Sequence, residues 1–133
     1  MFFLGKKPKP ATASATTTVR GKAAEDQALV YLQAQGLRLL GRNYRTPGRG
    51  GGEIDLILQE SDGTVVFVEV RSRSRSDFGG AGASIGAAKR QRVVLAAQHW
   101  LLQQGASGRA CRFDVVLLQG DDLQWLAGAF DAG

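Results

Sequence analysis

Cysteine, histidine and long apolar runs are scarce in this chain of 133 residues. Cys111 is the single cysteine and His99 the single histidine, which excludes a disulfide framework, a cysteine zinc site and a multi-histidine metal site. No stretch approaches the ~18 apolar residues that a membrane span requires. The first apolar residues precede the first lysines, whereas a secretory signal has the reverse order. We therefore expect a cytoplasmic protein without a membrane segment.

Positive charge is in excess. Seventeen Lys and Arg residues against 12 Asp and Glu give a net charge of +5 and a pI near 9.9. Arginine outnumbers lysine, and its planar guanidinium group suits phosphate. The composition therefore fits an anionic partner such as nucleic acid, and it fits equally a solvated basic surface.

The hydrophobic pattern predicts one domain behind a tail. Residues 1–18 are rich in Lys, Pro, Ala, Ser and Thr and bury too little surface to offset chain entropy, so we expect a disordered basic tail before a domain over 19–133. Helices are predicted over 22–35 and 87–102, and strands over 37–45, 53–58, 65–71, 113–118 and 123–126. The order α-β-β-β-α-β-β predicts an α/β sandwich with a mixed sheet.

Two acidic residues interrupt otherwise apolar strands, Asp55 in the second strand and Glu69 in the third. The turn at Ser61-Asp62-Gly63 predicts an antiparallel hairpin, and each carboxylate lies seven residues from Asp62. Asp55 and Glu69 should therefore face each other across the hairpin. Two such carboxylates repel unless a cation compensates them, and Mg²⁺ commonly takes one or two protein carboxylates.

Arg71 follows Glu69 by two residues and should share its face of the strand. A basic side chain beside a two-carboxylate metal site suits phosphodiester hydrolysis, because it stabilises charge on the phosphate. The alternative is a salt bridge between Asp55 and Arg71 that has a structural role only. Spacing alone leaves both interpretations open.

Four segments together resemble the YraN family of small bacterial proteins, over about residues 20–131: Gly52–Ile57, Val66–Arg71, Lys89–Gln91 and Arg112–Val116. That family is similar to archaeal Holliday-junction resolvases and to the restriction-endonuclease-like nucleases, whose motif is Asp…Glu-x-Lys. The resemblance implies a restriction-endonuclease-like fold and a homodimer. It also implies an endonuclease that uses Mg²⁺ or Mn²⁺ and acts on branched or structured DNA.

The resemblance also implies roles for individual residues. Asp55 and Glu69 would hold the metal, Glu25 would be a further acidic ligand, and Arg71 would act in catalysis. Gln91 matches a polar residue of the second helix that contacts the substrate or the site. We expect the DNA backbone to be bound by Arg45, Arg49, Arg73, Arg75, Lys89, Arg90, Gln91 and Arg92.

The chain departs from the family motif at Arg71, which stands in place of the lysine. Arginine keeps its proton, so Arg71 is not a general base, although it can stabilise phosphate charge. Three hypotheses are therefore open. The first is an active endonuclease, and the second is a catalytically silent nucleic-acid-binding module acting in a DNA-processing complex. The third is a basic protein-interaction domain, which differs from the other two because it would show no salt-sensitive DNA binding.

Overall fold

The computed structural model of the chain describes residues 16–48, 51–73 and 86–131. Its elements are α1 (Thr16–Ala34), β1 (Arg38–Arg45), β2 (Glu53–Gln59), β3 (Val65–Arg73), α2 (Ala87–Gln103), β4 (Cys111–Gln119) and β5 (Asp122–Phe130). The predicted α/β class and element order are confirmed. Helix α1 begins six residues before the predicted start, so positions 16–18 of the expected tail are helical. Within the described ranges, neither helix combines the length and hydropathy needed to cross a membrane.

The five strands form one mixed sheet in the order β1-β2-β3-β4-β5. All neighbouring strands are antiparallel except β3 and β4, which run parallel. Parallel neighbours need a crossover, and α2 lies in that connection. Strand β3 is central, as its nearly continuous apolar sequence predicts, and it carries Glu69 into the middle of the sheet.

A helix covers each face of the sheet. On one face, buried Ala24, Ala28 and Leu32 of α1 pack with residues of β2, β3 and β4 such as Val68. On the other face, Val93 and its buried neighbours in α2 pack with a second set of sheet residues. Trp100 of α2 is partly buried and packs against this second core, with its ring edge-on to that of Phe67 and 5.9 Å between the ring centroids. The packing in these two cores fixes the position of each helix relative to the central strand β3.

Asp114 of β4 is fully buried, and its role is structural. Its carboxylate accepts hydrogen bonds from Arg112 Nε at 3.0 Å, Trp125 Nε1 at 2.8 Å and the Gly128 N–H at 2.9 Å. The register between β4 and β5 shifts at this point, between Phe113 and Val115. The carboxylate therefore supplies acceptors where the ladder is interrupted.

Gly52, which precedes β2, lies directly against the backbone of α2. A Cβ atom at Gly52 would lie 1.8 Å from the carbonyl oxygen of Arg92 and 3.1 Å from Cβ of Ala96. The Gly52 N–H donates to Thr46 Oγ1 at 2.7 Å, and the Thr46 N–H donates to the Gly52 carbonyl at 3.0 Å. These two hydrogen bonds to Thr46 fix the position of Gly52 beside the helix.

We expect Gly52→Ala to destabilise the fold by about 1–3 kcal/mol, because the added methyl group would overlap the helix backbone at Arg92 and force it to shift. Gly41→Ala is the matched control, since its Cβ would lie 3.9 Å from the nearest heavy atom, Ile57 Cδ1. Urea unfolding of the two variants measures the difference. Equal stability of both variants would show that α2 does not pack this closely at Gly52.

Candidate active site

The site begins where the β2–β3 ladder ends. The paired residues run from Gln59 and Val65 to Leu56 and Val68, and one further step of this register places Asp55 opposite Glu69. Beyond the end of the ladder, the Val70 N–H donates to the side-chain oxygen Oδ2 of Asp55 at 2.8 Å instead of to a backbone carbonyl of β2. The carboxylates therefore face each other, as the count from the turn predicts.

A cleft of about 540 Å³ opens at this end of the hairpin. Four elements contribute its walls: α1, β2, β3 and α2. The lining residues are Ala24, Glu25, Asp55, Glu69, Val70, Arg71, Ser72 and Lys89. The structure thus brings together four residues that the sequence places in the site, and the cleft holds acidic and basic groups side by side.

Glu69 lies at the buried floor of the cleft, with an exposed fraction of 3%. Its Oε1 atom lies 3.2 Å from Nζ of Lys89, in the first turn of α2. Its Oε2 atom is buried and has no hydrogen-bond partner among the residues that the structure describes. The sequence assigns Lys89 to the DNA backbone, whereas the structure places its ammonium group on the central carboxylate of the cleft.

Glu25 lines the cleft from α1 but is engaged by a residue that sequence reasoning missed. Arg42 of β1 lies 3.4 Å from Glu25 Oε1 and 2.8 Å from Asp26 Oδ1, measured from Nη2. Across residues 16–48, 51–73 and 86–131, no three His, Cys, Asp or Glu side chains form a cluster that could hold a metal ion. Glu25 therefore stands beside the Asp55–Glu69 pair without completing a three-carboxylate cluster.

The residues expected on DNA are spread over several surfaces. Arg45 is 73% exposed and lies 3.6 Å from Glu53. Arg90 and Gln91 line a separate groove of about 420 Å³ on α2, which Asp131 also lines. Gln91 therefore does not line the Asp55 cleft.

The other expected contacts are described less fully. Arg92 is exposed on α2. Arg73 ends β3, paired with Gln119 of β4. Arg49 and Arg75 lie outside the described residues.

The sequence profile of the uncharacterised protein family UPF0102 matches residues 24–118. The chain belongs to this family. It is 64% identical over 132 residues to a UPF0102 protein of Acidovorax sp. strain JS42, covering 99% of both chains, and 66% identical over 136 residues to one of Paracidovorax citrulli, covering 100% of both. This is the YraN family whose motifs the sequence resembles. A solved EndoMS–dsDNA complex aligns with 85% of this chain and 40% of the other, at 15% identity and a TM-score of 0.36.

In this UPF0102 protein the two facing carboxylates are hard to ionise. Burial, and after it the negative charge of Asp55, raise the pKa of Glu69 to about 7, against the lowering effect of Lys89. Burial likewise raises the pKa of Asp55 to about 6, against the lowering effect of the hydrogen bond from Val70. A positive charge delivered to the cleft would relieve both penalties.

The raised pKa values predict how the metal-free UPF0102 protein responds to pH. Between pH ~4 and ~7, Glu69 and Asp55 still hold their protons in the folded state but have released them in the unfolded state. The contribution of these two groups to the free energy of unfolding therefore decreases as pH rises. Glu69→Gln should remove much of this fall, on the order of 2 kcal/mol. Urea unfolding in EDTA across this range measures the difference between wild type and variant. Parallel pH profiles for the two proteins would contradict the prediction.

Proposed function

We propose that this protein is a nuclease-like DNA-binding protein that hydrolyses phosphodiester bonds with Mg²⁺ or Mn²⁺ at Asp55 and Glu69. The observation that carries the proposal is the pair of facing carboxylates in one cleft, of which Glu69 Oε2 is buried without a hydrogen-bond partner within the described part of the chain. A buried carboxylate oxygen in this state is costly unless a cation or a donor reaches it.

The donor set fits a hard divalent cation. Carboxylate oxygens are the ligands that Mg²⁺ and Mn²⁺ prefer, and Mg²⁺ commonly takes one or two of them with water and substrate phosphate. Asp55 and Glu69 would hold the ion, with Glu25 as a further acidic neighbour. A bound cation would supply an activated water and stabilisation of negative charge on the phosphate.

The chain's own residues supply the rest of the chemistry. Arg71 lines the cleft and would stabilise the charge that builds up on the phosphate. Arg90 and Arg92 are exposed on α2, close in sequence to Lys89, and would contact the backbone outside the cleft. Phosphate contacts give affinity without sequence information, so we propose recognition of DNA shape, with branched or structured DNA as substrate and a homodimer as the acting form.

The alternative function is a silent DNA-binding module within a DNA-processing complex. One observation favours it: the strand position that carries lysine in the nuclease motif holds Arg71, which cannot act as a general base. Under this alternative the cleft binds a cation or a phosphate without turnover.

Cleavage assays separate the two functions. We expect the wild type to cut junction, flap or single-stranded DNA with Mg²⁺ or Mn²⁺, and Glu69→Gln to cut at least ~100-fold more slowly, because metal stabilisation of the transition state is lost. Glu60→Gln is the matched control, since Glu60 pairs with Arg112 away from the cleft.

Each outcome has a distinct meaning. Salt-sensitive DNA binding without cleavage under any metal would favour the silent module. Equal cleavage by wild type and Glu69→Gln would show that the cutting activity does not come from this cleft. Absence of salt-sensitive DNA binding would contradict both functions and favour a basic protein-interaction domain.

A further inference from the structure

The two oxygens of Glu69 have different surroundings. Oε1 lies 3.2 Å from Nζ of Lys89, while Oε2 is buried and, within the described ranges, has no hydrogen-bond partner. Oε1 is therefore ion-paired with a side chain of the protein itself, whereas Oε2 is available to a further donor or cation. A second positive group at Oε2 would repel the ammonium group at Oε1, because both would bind the same carboxylate.

Lys89 occupies a position that helix physics disfavours. It lies in the first turn of α2, next to Arg90, in a turn that contains no acidic residue. The N-terminal end of a helix carries partial positive charge, so cations there lower helix stability. The ion pair with Glu69 offsets part of this cost. Natural proteins tend to break such local rules at functional sites and to compensate for them elsewhere in the structure.

The side chain of Lys89 is also able to change partner. It is 40% exposed, whereas the side chain of Glu69 is 4% exposed, so the ammonium group reaches into the cleft from its open side. Lysine carries its charge on a flexible four-carbon stem and acts as a mobile point charge. Arg71 lines the same cleft from β3, where the strand rather than a helix positions it.

We propose that Lys89 is the mobile ammonium group of this site: it neutralises Glu69 until a divalent cation binds there, and then contacts a phosphate oxygen of the DNA. This inference rests on the proposed function and adds a coupling to it, since cation binding releases the charge that strengthens DNA binding. It also reconciles the sequence-based assignment of Lys89 to the DNA backbone with its ion pair to Glu69.

Two binding measurements on purified protein test this coupling. Lys89→Met removes the charge and keeps the stem, and we expect it to bind Mn²⁺ about tenfold more tightly than wild type at alkaline pH, because the competing ammonium group is gone. Ca²⁺, which takes the same oxygen ligands, should strengthen wild-type binding to branched DNA severalfold, and this gain should be lost in Lys89→Met. Arg109→Met is the charge-matched control. Arg109 is exposed, and its Nη2 atom lies 3.3 Å from the carbonyl oxygen of Gly63, in the turn between β2 and β3 at the opposite end of the hairpin from the cleft.

A measurement on the wild type covers the case in which Lys89→Met does not fold. Acetylation of Lys89, followed by mass spectrometry, should be slow in EDTA and several times faster with Mn²⁺, relative to Lys22 as an internal reference. Unchanged acetylation, or Mn²⁺ affinity in Lys89→Met that is equal to or weaker than in wild type, would reduce Lys89 to a structural ion pair. Wild type that binds neither Mn²⁺ nor DNA would overturn the proposed function, and this inference with it.

Discussion

The burial of two like charges at the end of one hairpin is the constraint on which the site depends. Asp55 and Glu69 face each other in a cleft, and both have pKa values raised by burial. Lys89 and the Val70 N–H offset part of that cost, and one buried oxygen of Glu69 remains without a partner in the described part of the chain. A domain that kept this pair for stability alone would gain more from an apolar replacement.

The hydrophobic cores hold this unfavourable arrangement in place. Helix α1 is fixed over one sheet face by Ala24 and Ala28, and it carries Glu25 to the rim of the cleft. Helix α2 is fixed over the other face by Val93 and by the close approach at Gly52, and it carries Lys89 to Glu69. Packing of apolar core residues thus holds charged side chains from α1, β2, β3 and α2 together in one cleft.

Much of this arrangement is predictable from the sequence, because it depends on short-range periodicity. Alternation along the strands and one recognisable turn suffice to place Asp55 opposite Glu69, and the apolar run of β3 suffices to make it central. The structural role of Asp114 follows from the same logic, since a carboxylate in a buried strand needs donors nearby.

The remaining features depend on how helices lie across the sheet, which local patterns do not encode. The Lys89–Glu69 pair joins residues twenty positions apart, and its existence depends on the height of α2 over β3. The contact of Arg42 with Glu25 depends in the same way on α1 and β1. Gln91 is only two residues beyond Lys89, yet it lines the other groove, because successive helical residues point in different directions.

The most direct test of the central claim is a crystal structure of the wild-type protein soaked in Mn²⁺, with anomalous scattering to locate the ion. The account predicts a peak in direct contact with a carboxylate oxygen of Asp55 and with Oε2 of Glu69. An empty cleft at saturating Mn²⁺, or an ion bound only to carboxylates elsewhere on the surface, would contradict it.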